Sequence, residues 1–175
     1  MIIGGAILSS FIDNHLFGKI HSDIFFHVVS LIIGVLLMML VIRISKNTGR
    51  TLAKYGRSGN LKRLETNMLV QNGAYSHMRH PMHFGLLLFP LSFALIIGSP
   101  SFIMFIAPVE AVLMLVMVWM VEEPEAIRKF GNQYLEYKKG VPWFCFKLKC
   151  LKELFKSVAK SKIIANASSP ITTLY

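Results

Sequence analysis

The sequence predicts an all-α integral membrane protein with about four transmembrane helices, the first of them short, and a cytosolic helical segment at the C-terminus. Three observations support this fold class: an apolar composition, long uncharged runs, and a one-sided distribution of basic residues. Of the 175 residues, 54% are hydrophobic and only 16% are charged, and the mean hydropathy is +0.54. So short a soluble chain cannot bury that much apolar surface, whereas a bilayer accepts it unburied.

Three apolar runs are long enough, or nearly so, to cross about 30 Å of hydrocarbon at a helical rise of about 1.5 Å per residue. They cover residues 24–42, 82–98 and 101–121. The N-terminal stretch, residues 1–20, reaches a spanning length only when polar residues are included. We expect this stretch to form a short or tilted helix that makes a hairpin with the next run. A re-entrant or interfacial segment is the alternative.

The second and third runs are separated only by Ser99 and Pro100. Because so short a connection forces two helices to lie antiparallel as neighbours, residues 81 and 122 must end on the same side of the membrane. Two polar clusters, residues 72–81 and residues 122–125, are therefore expected to meet there.

The basic residues predict which side that is. Of the 19 Lys and Arg residues, 18 lie in the loop 43–80 or in the segment 122–175, and only Lys19 lies near the opposite face. The positive-inside rule then predicts that the loop, the C-terminus and both polar clusters are cytosolic. Nucleic-acid binding is not expected, because no aromatic side chains interleave with these charges as a base-stacking surface requires.

The C-terminal end has a pattern of its own, so we divide the chain into a membrane domain, residues 1–146, and a basic amphipathic tail, residues 147–175. Leu148, Leu151, Leu154 and Phe155 recur at three- and four-residue spacing, with lysines on the other faces. This pattern favours a helix on the anionic inner leaflet; a helix folded onto the protein core is the alternative. Cys145 and Cys150 lack zinc-site spacing, and a disulfide is not expected in the cytosol.

The two polar clusters carry the residue types that bind ligands. Pro81 suits the first turn of a helix, where its missing N–H is not needed. Glu122 and Glu123 are adjacent, so on a helix they point about 100° apart and should have different partners. An interpretation without catalysis is that Arg79, His80 and the carboxylates are interface anchors whose ion pairs close the hairpin. The functional interpretation is a polar pocket that opens sideways to lipid.

Glu110 and three histidines are further candidates for functional sites. Glu110 lies within the third apolar run, where a charge costs about 2.5–3.5 kcal/mol, so it is either functional or a protonated group bonded to a neighbouring helix. His77, His80 and His83 share a helical spacing, but Pro81 interrupts it and no carboxylate adjoins it in sequence. A metal site is therefore not expected.

Two segments resemble a known family. GAYSHMRHPMHFG at residues 73–85 and EEPEAIRKFGNQYLEYKKGVPWF at residues 122–144 are similar to the motifs of the isoprenylcysteine carboxyl methyltransferase and phospholipid methyltransferase family. His83 stands where that family usually has Tyr. The resemblance implies transfer of a methyl group from S-adenosylmethionine to a membrane-borne acceptor. It implies a catalytic set of Arg79, His80 and Glu123, and a cofactor-binding set of Gly73, Tyr75, Arg79, His80, Pro81, His83, Glu122 and Glu123.

The expected roles follow from the chemistry of the donor. Arg79 can bind its carboxylate as a fork, Glu122 or Glu123 can hold its ammonium or ribose hydroxyls, and His80 can orient it or act as a base. The expected acceptor is a lipophilic molecule from the bilayer: a prenylated-cysteine carboxylate, a phospholipid amine, or a small lipophilic thiol or phenol. Two alternatives remain: an NADPH-dependent enzyme of the sterol-reductase kind, and a non-catalytic membrane scaffold.

Overall fold

The computed structural model describes residues 2–58 and 66–155, and every regular element in these two ranges is helical. The all-α class predicted from the sequence is therefore confirmed for this part of the chain. The α-helices are α1 (Ile2–Leu16), α2 (Gly18–His21), α3 (Ile24–Tyr55), α4 (Pro81–Leu86), α5 (Phe89–Ile97), α6 (Ala107–Met117), α7 (Glu123–Phe130), α8 (Asn132–Gly140) and α9 (Leu148–Phe155). A 3-10 helix covers Gly73–Ser76, and π-helical turns cover Phe102–Ile106 and Val118–Glu122.

Two helices in the described ranges are long and apolar enough to cross a membrane: α3, and a continuous helix Phe102–Phe130 that joins both π-helical turns with α6 and α7. We call the second one the long helix. In their most apolar windows only 17% and 22% of the residues are buried inside the protein, so these are not the core helices of a soluble fold. The α4–α5 pair is shorter, and α1 has 15 residues. Four spans therefore stay a prediction.

Helix α3 continues well past the apolar run that predicted it. Asp23 begins the helix, its side chain accepting the Phe25 N–H at 2.9 Å, and the helix ends only at Tyr55. The apolar run ends at Ile42, but neither Gly nor Pro interrupts the next six residues, so the backbone stays helical after the side chains turn polar. This second part of α3 reaches beyond the apolar span and brings Leu52 to the site described below.

Helix α5 packs closely along α3. A Cβ added to Gly34 would lie 2.7 Å from the backbone nitrogen of Ile96, so only glycine allows this approach. One turn earlier, the Ser30 hydroxyl donates to the carbonyl of Leu95 at 2.7 Å. These contacts align α5 with α3 and hold the segment that carries Arg79 and His80 at one end of the bundle.

The turn between α5 and the long helix is closed by a carboxylate from α1. Asp13 is fully buried; its carboxylate accepts the Ser99 hydroxyl and, at 2.8 Å, the Ser101 N–H. The Ser101 hydroxyl donates to the carbonyl of Ser9 at 3.1 Å. Helix α1 accordingly packs on the π-helical turn Phe102–Ile106, and its contacts with α3 are few. The predicted hairpin of residues 1–20 with the next run is wrong, because the buried carboxylate finds its donors at this turn.

Helix α9 folds onto the rest of the protein. Cys150 and Leu154 are buried in a cluster with Ile44, Ala74 and Met78, so the apolar face of residues 148–155 contacts protein. This is the second of the two alternatives considered for the tail. Residues 156–175 of the predicted tail lie outside the described residues.

Cys145 and Cys150 form a disulfide, with their Cα atoms 5.9 Å apart. The expectation that they would not pair was wrong. It rested on the reducing character of the cytosol, which carries no information about local geometry. Here Cys150 lies in the first turn of α9, and Cys145 lies in the segment 141–147 that connects α8 to α9. The two residues are at a separation that a disulfide spans.

Candidate active site

Arg79 and His80 are held by a second segment of backbone. The Arg79 N–H donates to the carbonyl of Pro142 at 2.9 Å, and the His80 N–H donates to the carbonyl of Trp143 at 3.3 Å. Pro81 follows at the start of α4, as its ring predicts. Backbone hydrogen bonds therefore join the two segments that resemble the family, residues 73–85 and 122–144. These two bonds fix the backbone from which the side chains of Arg79 and His80 project.

Glu123 is the centre of a buried polar network. Its side chain is only 3% exposed. Its Oε1 lies 2.9 Å from His80 Nε2 and accepts the Tyr134 hydroxyl at 2.7 Å, while its Oε2 lies 2.8 Å from Lys138 Nζ. The predicted meeting of the two polar clusters is confirmed by these distances.

Glu122 has a different partner from its neighbour. Its Oε1 lies 3.5 Å from His83 Nε2, and its side chain is 42% exposed. Glu122 ends the π-helical turn and Glu123 begins α7, with Pro124 next in that helix. The expectation that the adjacent carboxylates would point in different directions and bind different residues is confirmed.

Arg79 is buried with part of its guanidinium group unused. Its Nε lies 3.4 Å from Glu123 Oε1, and its Cζ lies 5.9 Å from the ring centroid of Trp143. Its Nη1 is buried and has no hydrogen-bond partner among the described residues. Because leaving a buried charged donor unpaired costs free energy, this atom marks a place where a ligand acceptor fits.

A cavity of about 190 Å³ lies beside this network. Leu52 of α3 and the apolar residues 68–70 are part of its lining. Its polar lining includes Tyr75, Arg79, His80, His83, Glu122, Tyr134 and Tyr137. Glu123 is not part of this lining, since it lies behind His80 and Arg79. Glu122 therefore faces the cavity, and Glu123 orients the residues that do.

A family model described as phospholipid methyltransferase matches residues 25–133, which is more than half of the chain. The chain belongs to the phospholipid methyltransferase family. The family is one of methyltransferases that act on lipid-type substrates in membranes. No curated protein and no solved structure matches the chain significantly. The family match spans α3, the segment with Arg79 and His80, and both carboxylates, and it ends just before Tyr134 of α8.

Burial sets the protonation of the groups around the cavity. Burial lowers the pKa of His80 below its usual value, an effect that the bond to Glu123 only partly opposes. Burial also raises the pKa of Tyr134, and its bond to the Glu123 carboxylate raises it further. At neutral pH the site therefore holds a neutral imidazole and a protonated phenol.

Besides Glu123, two more of the predicted cofactor-binding residues, Gly73 and Pro81, lie outside the cavity lining. Gly73 has a φ of +61°, a left-handed conformation that favours glycine, and it begins the 3-10 helix. Pro81 is fully buried and begins α4. Tyr75 does line the cavity, and its carbonyl accepts the Tyr137 hydroxyl at 2.5 Å.

The assignment from sequence missed the residues that hold Glu123. Tyr134 and Lys138 lie four residues apart on α8, so they occupy one face of that helix. Both fall in the motif FGNQYLEYKKG, where a tyrosine and a lysine at this spacing could have indicated a shared partner. Glu110 lies elsewhere: it is 8% exposed and lines an apolar groove between α1 and α6 with Gly5 and Leu8.

Proposed function

We propose that the chain is an S-adenosylmethionine-dependent methyltransferase whose active site is the cavity beside His80 and Glu122. The family supports methyl transfer to a lipid-type substrate. The observation that carries the cofactor assignment is the buried Arg79 Nη1, which has no acceptor among the described residues and belongs to a side chain that lines the cavity. A carboxylate such as that of the methyl donor supplies the missing acceptor.

The residues around the cavity fit such a donor. Arg79 binds the carboxylate as a fork, and Glu122, whose side chain is 42% exposed, binds the ammonium group or the ribose hydroxyls. When bound, the cofactor supplies a methyl group on a positively charged sulfur. Glu123 orients the site through its bonds to His80 and Tyr134. Burial of the site excludes water, which strengthens these electrostatic contacts.

His80 is proposed as the base for the acceptor. The Glu123 carboxylate can only accept a hydrogen bond, so the bonded Nε2 of His80 is the donor and the neutral ring keeps a lone pair on Nδ1. That nitrogen can take a proton from an acceptor amine, and Glu123 stabilises the resulting imidazolium. A phospholipid amine is the proposed acceptor because the family description names phospholipids; a prenylated-cysteine carboxylate needs no base.

The cytosolic face is proposed as the side of reaction. The support is the distribution of charge, since 18 of the 19 Lys and Arg residues lie in the segments 43–80 and 122–175, which adjoin the site. The basic segments also suit an anionic inner leaflet from which a lipid acceptor enters.

The proposal is tested by incubating membranes that contain the chain with methyl-labelled S-adenosylmethionine. We expect label in the lipid extract that mild base does not release, as for an N-methylated headgroup. Base-labile label would indicate a carboxylate acceptor instead. No labelled product, together with binding of NADPH to the purified chain, would favour the reductase alternative, and neither activity nor binding would favour the scaffold.

A further inference from the structure

Three side chains that line the cavity form a set of metal-ligand types. His80, His83 and Glu122 each offer one ligand atom, and these three atoms lie within 4.8 Å of one another. The sequence did not predict this set because no carboxylate adjoins the histidines along the chain; the helical hairpin brings Glu122 to them. The Glu122 Oε1 already lies 3.5 Å from His83 Nε2.

The set has the chemistry of a zinc site. Two imidazoles and a carboxylate with an open fourth position are an established ligand combination for Zn²⁺, with bonds of about 2.0–2.2 Å. Tetrahedral bonds of that length place ligand atoms about 3.4 Å apart, so the set must contract by somewhat more than 1 Å. Glu122 and His83 can supply this movement by side-chain rotation, since they are 42% and 17% exposed.

His80 is oriented as a metal-binding histidine is. Histidines that bind metals generally donate their other ring N–H to a carboxylate, which fixes the ring and raises its basicity. Glu123 supplies that carboxylate: its Oε1 lies 2.9 Å from His80 Nε2 and also accepts the Tyr134 hydroxyl. A ring that donates to Glu123 through Nε2 has Nδ1 as its other nitrogen for an ion.

The local charge also admits a cation. The charge of Glu123 is compensated by Arg79 and Lys138, which lie within 3.4 and 2.8 Å of its oxygens. Glu122 pairs with His83, and no Lys or Arg among the described residues forms an ion pair with it. Its negative charge is therefore available to an ion.

We propose that His80, His83 and Glu122 form a binding site for a divalent transition-metal ion, with Zn²⁺ the best fit, and that this ion and the methyl donor exclude each other. The exclusion follows because all three ligands line the one cavity and Glu122 serves both. This second part rests on the proposed function; the binding of the ion does not.

The test is a calorimetric titration of the detergent-purified chain with Zn²⁺, repeated with Co²⁺ while the visible absorption of a low-symmetry Co²⁺ complex is recorded. We expect one ion per chain, and an affinity about tenfold or more lower in both His83→Phe and Glu122→Gln. The matched control is His77→Ala. His77 lies outside the set and bonds to Ser76, so that variant should bind as the unchanged chain does.

Other outcomes overturn the proposal. Absence of Zn²⁺ binding, or equal affinity in the unchanged chain and both variants, would mean that the ion does not use this set. Thermal unfolding of each variant in detergent separates loss of a ligand from loss of the fold. Binding of S-adenosylmethionine that Zn²⁺ leaves unchanged would refute the exclusion. Zn²⁺ binding without any S-adenosylmethionine binding would refute the proposed function and leave the metal site standing.

Discussion

The hairpin of α5 and the long helix has a buried carboxylate at each end, and the two are used differently. At the turn, Asp13 accepts from the Ser99 hydroxyl and the Ser101 N–H, so both of its oxygens are bonded to neutral donors. At the other end, Glu123 contacts His80, Tyr134, Lys138 and Arg79, three of which are basic side chains. Both carboxylates are almost completely buried.

The two carboxylates differ in whether the polar groups around them all have partners. Around Asp13 both carboxylate oxygens and the hydroxyls of Ser99 and Ser101 have hydrogen-bond partners, and these bonds hold α1 on the turn. Around Glu123 the set is open: Arg79 has an unpaired Nη1, and His80 and Tyr134 line a cavity. A buried polar cluster that satisfies itself stabilises the architecture, whereas one that leaves a donor unpaired beside a cavity is suited to a ligand.

The largest effect is expected for Glu123→Gln. This change leaves Arg79 without its buried counter-charge, so the free energy of unfolding should fall by about 3–5 kcal/mol. S-adenosylmethionine binding should be lost as well, because His80 loses its orientation. Thermal unfolding in detergent and calorimetric titration measure the two effects. A variant of unchanged stability that still bound the cofactor would show that Glu123 neither balances the charge of Arg79 nor orients His80.

Asp13→Ala should give a somewhat smaller loss and sharpen the comparison. It leaves the Ser99 hydroxyl and the Ser101 N–H buried without an acceptor, which should lower the free energy of unfolding by about 3 kcal/mol. Cofactor affinity, measured below the unfolding temperature, should not change, because the turn lies at the far end of the helices from the cavity. Loss of cofactor binding in a folded Asp13→Ala protein would contradict the separation of roles.

Cys145→Ser should have a smaller effect again. The disulfide closes a short loop, and loop-closure entropy predicts a loss of about 2 kcal/mol from the free energy of unfolding. The bond lies two residues beyond Trp143, whose carbonyl accepts the His80 N–H, so a modest decrease in cofactor affinity is also expected. Alkylation of membranes before and after reduction reports whether the thiols are paired there. An unchanged free energy of unfolding would mean that the bond does not constrain the segment 141–147.

What could be predicted from the sequence was mostly what connectivity dictates. Two residues between apolar runs require a hairpin, and a hairpin brings Arg79 and His80 to Glu123. The adjacent carboxylates likewise had to diverge on a helix. These predictions needed only chain geometry and the helical period.

The rest depended on which partners side chains find across the fold. Nothing in the order of residues indicates that Asp13 bonds to a turn 86 residues away, so the pairing of α1 was predicted wrongly. The amphipathic pattern of α9 fits a lipid surface and a protein surface equally well, and only packing against Ile44 and Met78 distinguishes them. The His80, His83 and Glu122 set is formed by the same kind of long-range contact.

The most direct test of the central claim is the affinity of the purified chain for S-adenosylmethionine in a matched pair of variants. Arg79→Lys keeps the charge but removes the fork, whereas Arg128→Lys makes the same change at an exposed position on α7. We expect calorimetry to show binding to the unchanged chain, a dissociation constant about 10- to 100-fold higher for Arg79→Lys, and no change for Arg128→Lys. Equal affinities in all three proteins, or no binding to the unchanged chain, would contradict the account.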